Sequence, residues 1–320
     1  MKKIAIGIDI GGTNTKFGAA DREGTVFFND RIKTQGHNDF DSYFKELCSA
    51  IEVHLGNLSF PYELVGVGVG APNGNYFTGN IENAPNLPWK GQIQLGKMLT
   101  EQFGVPGILT NDANAAAIGE MVYGGAKGMK DFLVVTLGTG LGSGFVANGE
   151  MINGHDGFAG ELGHVIVKQN GRICGCGRKG CLETYVSATG IRRTVYKLLA
   201  DDPSESVLRD ISYNNLSTKM ITEAAEQDDA IALKAFDYTG RILGRKLADT
   251  VAITSPEAIF IFGGLAKAKD YIFKPTIKYM EANLLQHYKG NVKILPSGLG
   301  DETAPILGAS SLIWKDVKTT

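Results

Sequence analysis

The stretch Asp9-Ile10-Gly11-Gly12-Thr13, followed by Phe17-Gly-Ala-Ala-Asp-Arg-Glu-Gly24, decides the fold, because the chain writes the same layout a second time. Leu137-Gly138-Thr139-Gly140 is followed by Phe145-Val-Ala-Asn-Gly149. Each copy reads as a strand, a glycine turn, a second strand and a tight turn. A duplication of this kind predicts an α/β fold of two similar lobes facing one another across a cleft.

Working outward, residues 3–10 form the first strand, and 15–21 with 25–34 a hairpin. Residues 39–55 have helical apolar spacing, with Phe40, Tyr43, Phe44, Leu47 and Ile51 on one side. A strand at 64–70, a helix at 93–103, a strand at 107–110 and an alanine-rich helix at 113–122 complete the first half. The second half opens with strands at 131–137 and 143–148. Helices are predicted at 188–200, 217–227, 229–253, 273–287 and 302–315, with strands at 258–262 and 292–295. We expect a small lobe of residues 1–112 and 301–320, and a large lobe of 113–300.

At 320 residues the chain exceeds one typical core. A net charge of −2 with both signs interspersed gives no field for nucleic acid and no polybasic membrane patch. The N-terminal apolar run is short and ends at Asp9, so it reads as a strand rather than a signal peptide. No stretch reaches the ~18 apolar residues of a membrane span. The expected setting is the cytoplasm.

Three of the four cysteines fall within Cys174-Gly-Cys176-Gly-Arg-Lys-Gly-Cys181, and His164 lies upstream. Thiolates this close repel one another, and a tetrahedral zinc on three sulfurs and one imidazole would neutralise them. Gly175, Gly177 and Gly180 would let the backbone wrap the ion. The alternative is a disulfide with a spare thiol, but a C-x-C pair closes a strained ring. The site is a structural one, with no position left open for water.

Asp9 at a strand end, beside backbone N–H groups, suits magnesium on a polyphosphate. Gly11 and Gly12 would let a phosphate approach the main chain, Thr13 could donate to it, and Lys16 could reach it. Gly138, Thr139 and Gly140 repeat the device. Each turn taken alone also fits a plain hairpin, and neither is a P-loop or a dinucleotide fingerprint. Gly263-Gly264 could flank an adenine or ribose, or merely start a helix. Asn111-Asp112 is either an N-cap pair or places Asp112 to accept a proton from a substrate hydroxyl. Glu161, His164 and Glu183, tethered to the metal loop, would give a polar surface suited to a sugar.

With these residues in hand, the chain resembles the ROK family (repressor, open reading frame, kinase), in its sugar-kinase branch. The resemblance rests on Asp9-Ile-Gly-Gly-Thr13, Asn111-Asp-Ala-Asn-Ala115, Gly138-Thr-Gly-Leu-Gly142, Gly160-Glu-Leu-Gly-His164 and Cys174-Gly-Cys-Gly-Arg-Lys-Gly-Cys-Leu-Glu183. It implies a two-lobed actin-like ATPase (ribonuclease H-like) fold that brings ATP and a sugar together. It also implies that Asp112 is the general base for the sugar 6-hydroxyl. Asn111, Glu161, His164 and Glu183 would bind other hydroxyls, with Gly74 and Asn75 as further candidates. Asp9, Gly12, Thr13, Thr139 and Gly140 would surround magnesium and the phosphates. Glucose is the sugar implied first, with N-acetylmannosamine, N-acetylglucosamine, fructose and allose as rivals. A non-catalytic sugar sensor and an actin-like ATPase acting on proteins are rivals of other classes. A dimer or tetramer is implied as well. One departure stands out: Asn73 occupies a position where many relatives carry glycine.

Overall fold

The computed structural model describes residues 1–300 and 302–316; Asp301 and 317–320 of the expected small lobe lie outside the described residues. In chain order the elements are β1 (Lys2–Ile10), β2 (Asn14–Ala20), β3 (Val26–Lys33), α1 (Phe40–Gly56), β4 (Tyr62–Gly70), β5 (Gly74–Asn75), β6 (Asn80–Glu82), β7 (Gln92–Ile93), α2 (Leu95–Phe103), β8 (Gly107–Thr110) and α3 (Asp112–Val122). There follow β9 (Phe132–Leu137), β10 (Leu141–Ala147), β11 (Glu150–Met151), α4 (Ala188–Asp201), α5 (Thr218–Glu226), α6 (Ala230–Thr254), β12 (Ala258–Phe262), α7 (Asp270–Asn283), β13 (Lys293–Pro296) and α8 (Ala304–Asp316).

The duplication is visible in the sheets. One has the order β3-β2-β1-β4-β8 and the other β11-β10-β9-β12-β13, so each strand of the first has a counterpart in the second. In both, a hairpin strand sits on one side of the opening strand and parallel strands follow on the other. The sequence did not predict the three-stranded sheet β5-β6-β7. Its strands are two or three residues long, too short to show alternation.

By contacts, the chain divides into two compact units. The first holds Met1–Met129, Gly144–Gly160 and the C-terminal segment from Ser297; the second holds Lys130–Ser143 and Glu161–Pro296. This differs from the expected boundary after residue 112. Helix α3 packs on α8 and on β4, so it stays with the first unit. Its buried Glu120 also accepts from Ser297 and from the Gly298 and Gly125 N–H groups, fixing the approach to α8.

Local chemistry explains the elements. Asp39, Asn111, Ser187, Ser217 and Asp229 each accept a backbone N–H from the first turn of the helix they precede. In the first unit Ile4, Ile6, Ile8 and Ile10 alternate onto the face covered by Tyr43, Leu47 and Ile51 of α1. The opposite face carries α8 directly on the backbone: a Cβ at Gly68 would stand 1.9 Å from the Ala309 oxygen. In the second unit Phe132 and Phe260 meet edge to face at 5.9 Å. No helix among the described residues is long and apolar enough to cross a membrane.

Candidate active site and metal centre

In the first unit, the ends of three parallel strands line up Asp9, Gly70 and Thr110. Thr110 leads through Asn111 into α3, which begins at Asp112. Both acids neighbour Gly70. A Cβ there would lie 3.4 Å from the Asp112 Cα and 3.8 Å from the Asp9 Oδ1. Burial, then the neighbouring Asp112 charge, pushes the Asp9 carboxyl up to about 7 against the pull of Lys16, which faces Asp9 across β1 and β2. Burial also raises Asp112. The Asp112 side chain is open to water at its surface, yet the protein around it withholds enough solvation to disfavour its charge. Its Oδ1 accepts the Ala113 N–H at 2.9 Å, and no side chain partners it among the described residues.

Asn111 takes the capping role foreseen for the Asn111-Asp112 pair. Its Oδ1 caps α3 through the Ala113 N–H at 2.8 Å, which leaves its amide nitrogen as the group available to a ligand. The Gly11–Thr13 turn is clamped from below, where the buried Thr15 hydroxyl meets Tyr43 at 2.7 Å and Thr34 at 2.9 Å. The Gln35 amide donates to the Gly12 oxygen at 3.0 Å. Gly12 also has a packing role the sequence did not reveal: a Cβ would stand 2.9 Å from the Asn86 carbonyl oxygen. Thr13 is exposed and Lys16 half-buried.

Gly74 and Asn75 are buried. The Asn75 amide donates to the Asp156 oxygen and its carbonyl accepts from Phe77 and Thr78, so this side chain is spent on joining two loops. Asn73 adopts φ 51°, a left-handed conformation asparagine tolerates, so the expected glycine position keeps its backbone shape.

In the second unit, His164, Cys174, Cys176 and Cys181 offer ligand atoms that all lie within 4.8 Å of one another. The Cys176 and Cys181 sulfurs are 3.6 Å apart, and the Cys174 sulfur is 3.6 Å from the His164 Nδ1. A tetrahedron with Zn–S bonds of about 2.3 Å has edges of about 3.8 Å, and a mixed S–N edge is about 3.5 Å. The four residues therefore fit zinc, and all four cysteines of the chain are free of disulfides. Gly177 and Gly180 have positive φ, as wrapping requires; Gly175 does not. His164 turns Nδ1 toward the cysteines and Nε2 toward Glu161, 3.9 Å from its carboxylate.

Glu183 joins two predicted sites. One oxygen accepts the Cys174 S–H at 3.1 Å and the other accepts the Leu141 N–H at 3.3 Å, just past the second glycine turn. A Cβ at Gly140 would lie 2.6 Å from that second oxygen. Gly138 and Gly140 close the turn by a 3.1 Å backbone bond, and Thr139 is exposed. At the end of β12, Gly263 has φ 104° and packs against Leu137, whereas Gly264 has open space around it. Sequence reasoning missed Arg172. Its guanidinium bonds the Thr184 and Gly190 oxygens and the Thr194 hydroxyl and lies over the Tyr185 ring, pinning the metal loop to α4. An arginine amid solvated cations such as Arg178 and Lys179 gives no signal of this in sequence.

Twin sheets with glycine turns at equivalent strand ends, an acid pair and a thiol–imidazole loop define an actin-like ATPase fold equipped for phosphoryl transfer. A sequence model of the ROK family matches residues 5–316, and the chain belongs to that family. It is 34% identical to a glucokinase of Halalkalibacterium halodurans over 312 residues, 96% of this chain and 94% of that protein. A ROK family glucokinase from Streptomyces griseus, solved with glucose and AMPPNP, superposes with a TM-score of 0.80 at 30% identity, covering 98% of this chain and 99% of that one. A xylose repressor of Bacillus spizizenii is 28% identical over 97% of this chain and 76% of its own length. Within the family this chain is an ATP-dependent sugar kinase.

Proposed function

We propose that the chain transfers the γ-phosphoryl of ATP to the 6-hydroxyl of a hexose, with glucose as the sugar. The observation that supports this best is the meeting of Asp9 and Asp112 at Gly70. Two acids whose charges oppose each other there suit different tasks. Asp112, with no side-chain partner, takes the proton of the attacking hydroxyl. Asp9 faces the donor phosphates with Gly11, Gly12, Thr13 and Lys16, while Gly138, Thr139 and Gly140 serve the phosphates from the second copy of the turn. Gly263 and Gly264 flank the nucleoside. Asn111, Glu161, His164 and Glu183 hold the other sugar hydroxyls.

Magnesium would be held as the nucleotide complex beside Asp9, where a cation relieves the acid pair, and would supply charge neutralisation on the phosphoryl oxygens. Zinc on His164, Cys174, Cys176 and Cys181 would brace the loop carrying Glu161 and Glu183.

Glucose is favoured by the glucokinase relatives and by the glucose in the Streptomyces griseus structure. An ADP-release assay with glucose, N-acetylmannosamine, N-acetylglucosamine, fructose and allose tests it. The highest kcat/KM is expected for glucose, and a higher value for another sugar reassigns the substrate. Sugar binding without ADP release from any of them would favour the sensor reading that the repressor relative suggests. Free thiols suit a reducing compartment, so the cytoplasm belongs to the proposal. A dimer or tetramer is also proposed, to be checked by light scattering.

The acid pair also sets a pH dependence. Because its pKa is raised from 3.8 to about 7, Asp9 keeps a proton in the folded protein that the unfolded chain releases. Its contribution to stability is therefore present at low pH and lost as pH rises through about 7. A cation favours the ionised form, so binding of the magnesium nucleotide near pH 7 is expected to expel protons. Calorimetry in two buffers of different ionisation enthalpy reads this directly. Asp9→Asn should abolish the release, and equal heats in both buffers for the unsubstituted protein would refute it.

A further inference from the structure

The loop of residues 83–91 lies against the first glycine turn, and no motif drew attention to it. The Asn83 N–H bonds the Gly91 oxygen at 2.9 Å and closes the loop at its neck. Inside it, the Lys90 ammonium donates to the Ala84, Pro85 and Leu87 oxygens at 3.1, 3.2 and 3.0 Å, so all three of its protons are used. Ala84 and Leu87 are buried beneath, and Trp89 packs on Tyr43 with ring centroids 4.4 Å apart. Tyr43 in turn bonds Thr15, at the base of the glycine turn. A long cation is thus held in one geometry, and its effect is to fix the backbone of residues 84–87.

What that backbone presents is Asn86. Its carbonyl oxygen lies 2.9 Å, and its Cβ 3.7 Å, from the point a Cβ on Gly12 would occupy. Asn86 is exposed, and its side chain makes no hydrogen bond among the described residues. Neighbouring N–H groups of Gly12 and Thr13 likewise have no partner among them. The residue whose main chain packs on Gly12 thus carries an idle carboxamide able to donate two protons, and the turn itself carries two idle main-chain donors. Donors gathered in this way suit the oxygens of a phosphate.

We propose that Asn86 is a contact to the donor nucleotide's phosphates, supplied by a loop for which Lys90 is the positioning residue. This rests on the reading that the first glycine turn holds those phosphates. Lys90 touches no substrate; it acts through the carbonyls that place Asn86.

The experiment compares the intact enzyme with Asn86→Ala, Lys90→Met, Lys90→Arg and Asp9→Asn. Loss of one hydrogen bond to a charged group should raise the KM for magnesium ATP in Asn86→Ala by about tenfold or more. The KM for sugar and the thermal midpoint should stay unchanged. Lys90→Met should shift the same KM and speed amide exchange at residues 84–87, with Lys90→Arg recovering part of both. If Asn86→Ala and Lys90→Met keep the KM for magnesium ATP within about twofold while Asp9→Asn weakens nucleotide binding, the loop has no such role. If Asp9→Asn leaves nucleotide binding intact too, the reading of the turn itself fails and the proposal with it.

Discussion

Asp112→Asn is expected to lower turnover by about 10²-fold or more while leaving sugar affinity nearly unchanged. Asparagine is the same size and can still accept the Ala113 N–H that Asp112 accepts at 2.9 Å, so the start of α3 should survive. What it cannot do is take a proton. The loss should therefore fall on kcat, with sugar titrations by calorimetry matching those of the unsubstituted enzyme. A second consequence separates this from simple misfolding. The Asp112 charge is one cause of the raised Asp9 carboxyl, so its removal should move the proton release on nucleotide binding to lower pH. A variant that retains most of its rate would exclude Asp112 as the base.

Removal of the metal, by chelation or by Cys176→Ser, is expected to weaken sugar affinity by about tenfold or more. Cys176 is the exposed thiol of the cluster, whereas Cys174 and Cys181 are buried, so its replacement disturbs packing least. The effect should travel through both acids of the loop. Glu161 neighbours the His164 ring, and Glu183 touches both Cys174 and the Leu141 N–H. Because of that last contact, the KM for ATP should rise as well, though by less. The measurement is sugar affinity and metal content on the same sample, with far-UV circular dichroism to confirm that the fold persists. Unchanged affinity in protein verified free of metal would contradict the bracing role.

Most regular elements were legible because their signals are local. Alternation of Ile4, Ile6, Ile8 and Ile10, the helical spacing from Phe40 to Ile51, and the polar pair at the start of α3 all act within a few neighbours along the chain. The thiol–imidazole cluster was legible for a related reason. Three thiols and an imidazole within 18 residues carry a chemical demand wherever they sit. The glycine turns were recognisable because the duplication printed them twice.

Sequence alone therefore determined the twin sheets, the metal loop and the acids at the strand and helix ends, since each follows from short-range geometry or from donor chemistry. Only the tertiary structure decided how side chains were shared out among partners. It spent the Asn75 amide on Asp156, turned Glu183 toward Leu141, set Arg172 on Tyr185 and Lys90 on three carbonyls, and packed α3 with α8 rather than beyond a boundary at residue 112. The physical reason is that a polar group buried on folding must find whichever partner lies within about 3 Å. Where that partner is distant along the chain, nothing in the local pattern names it.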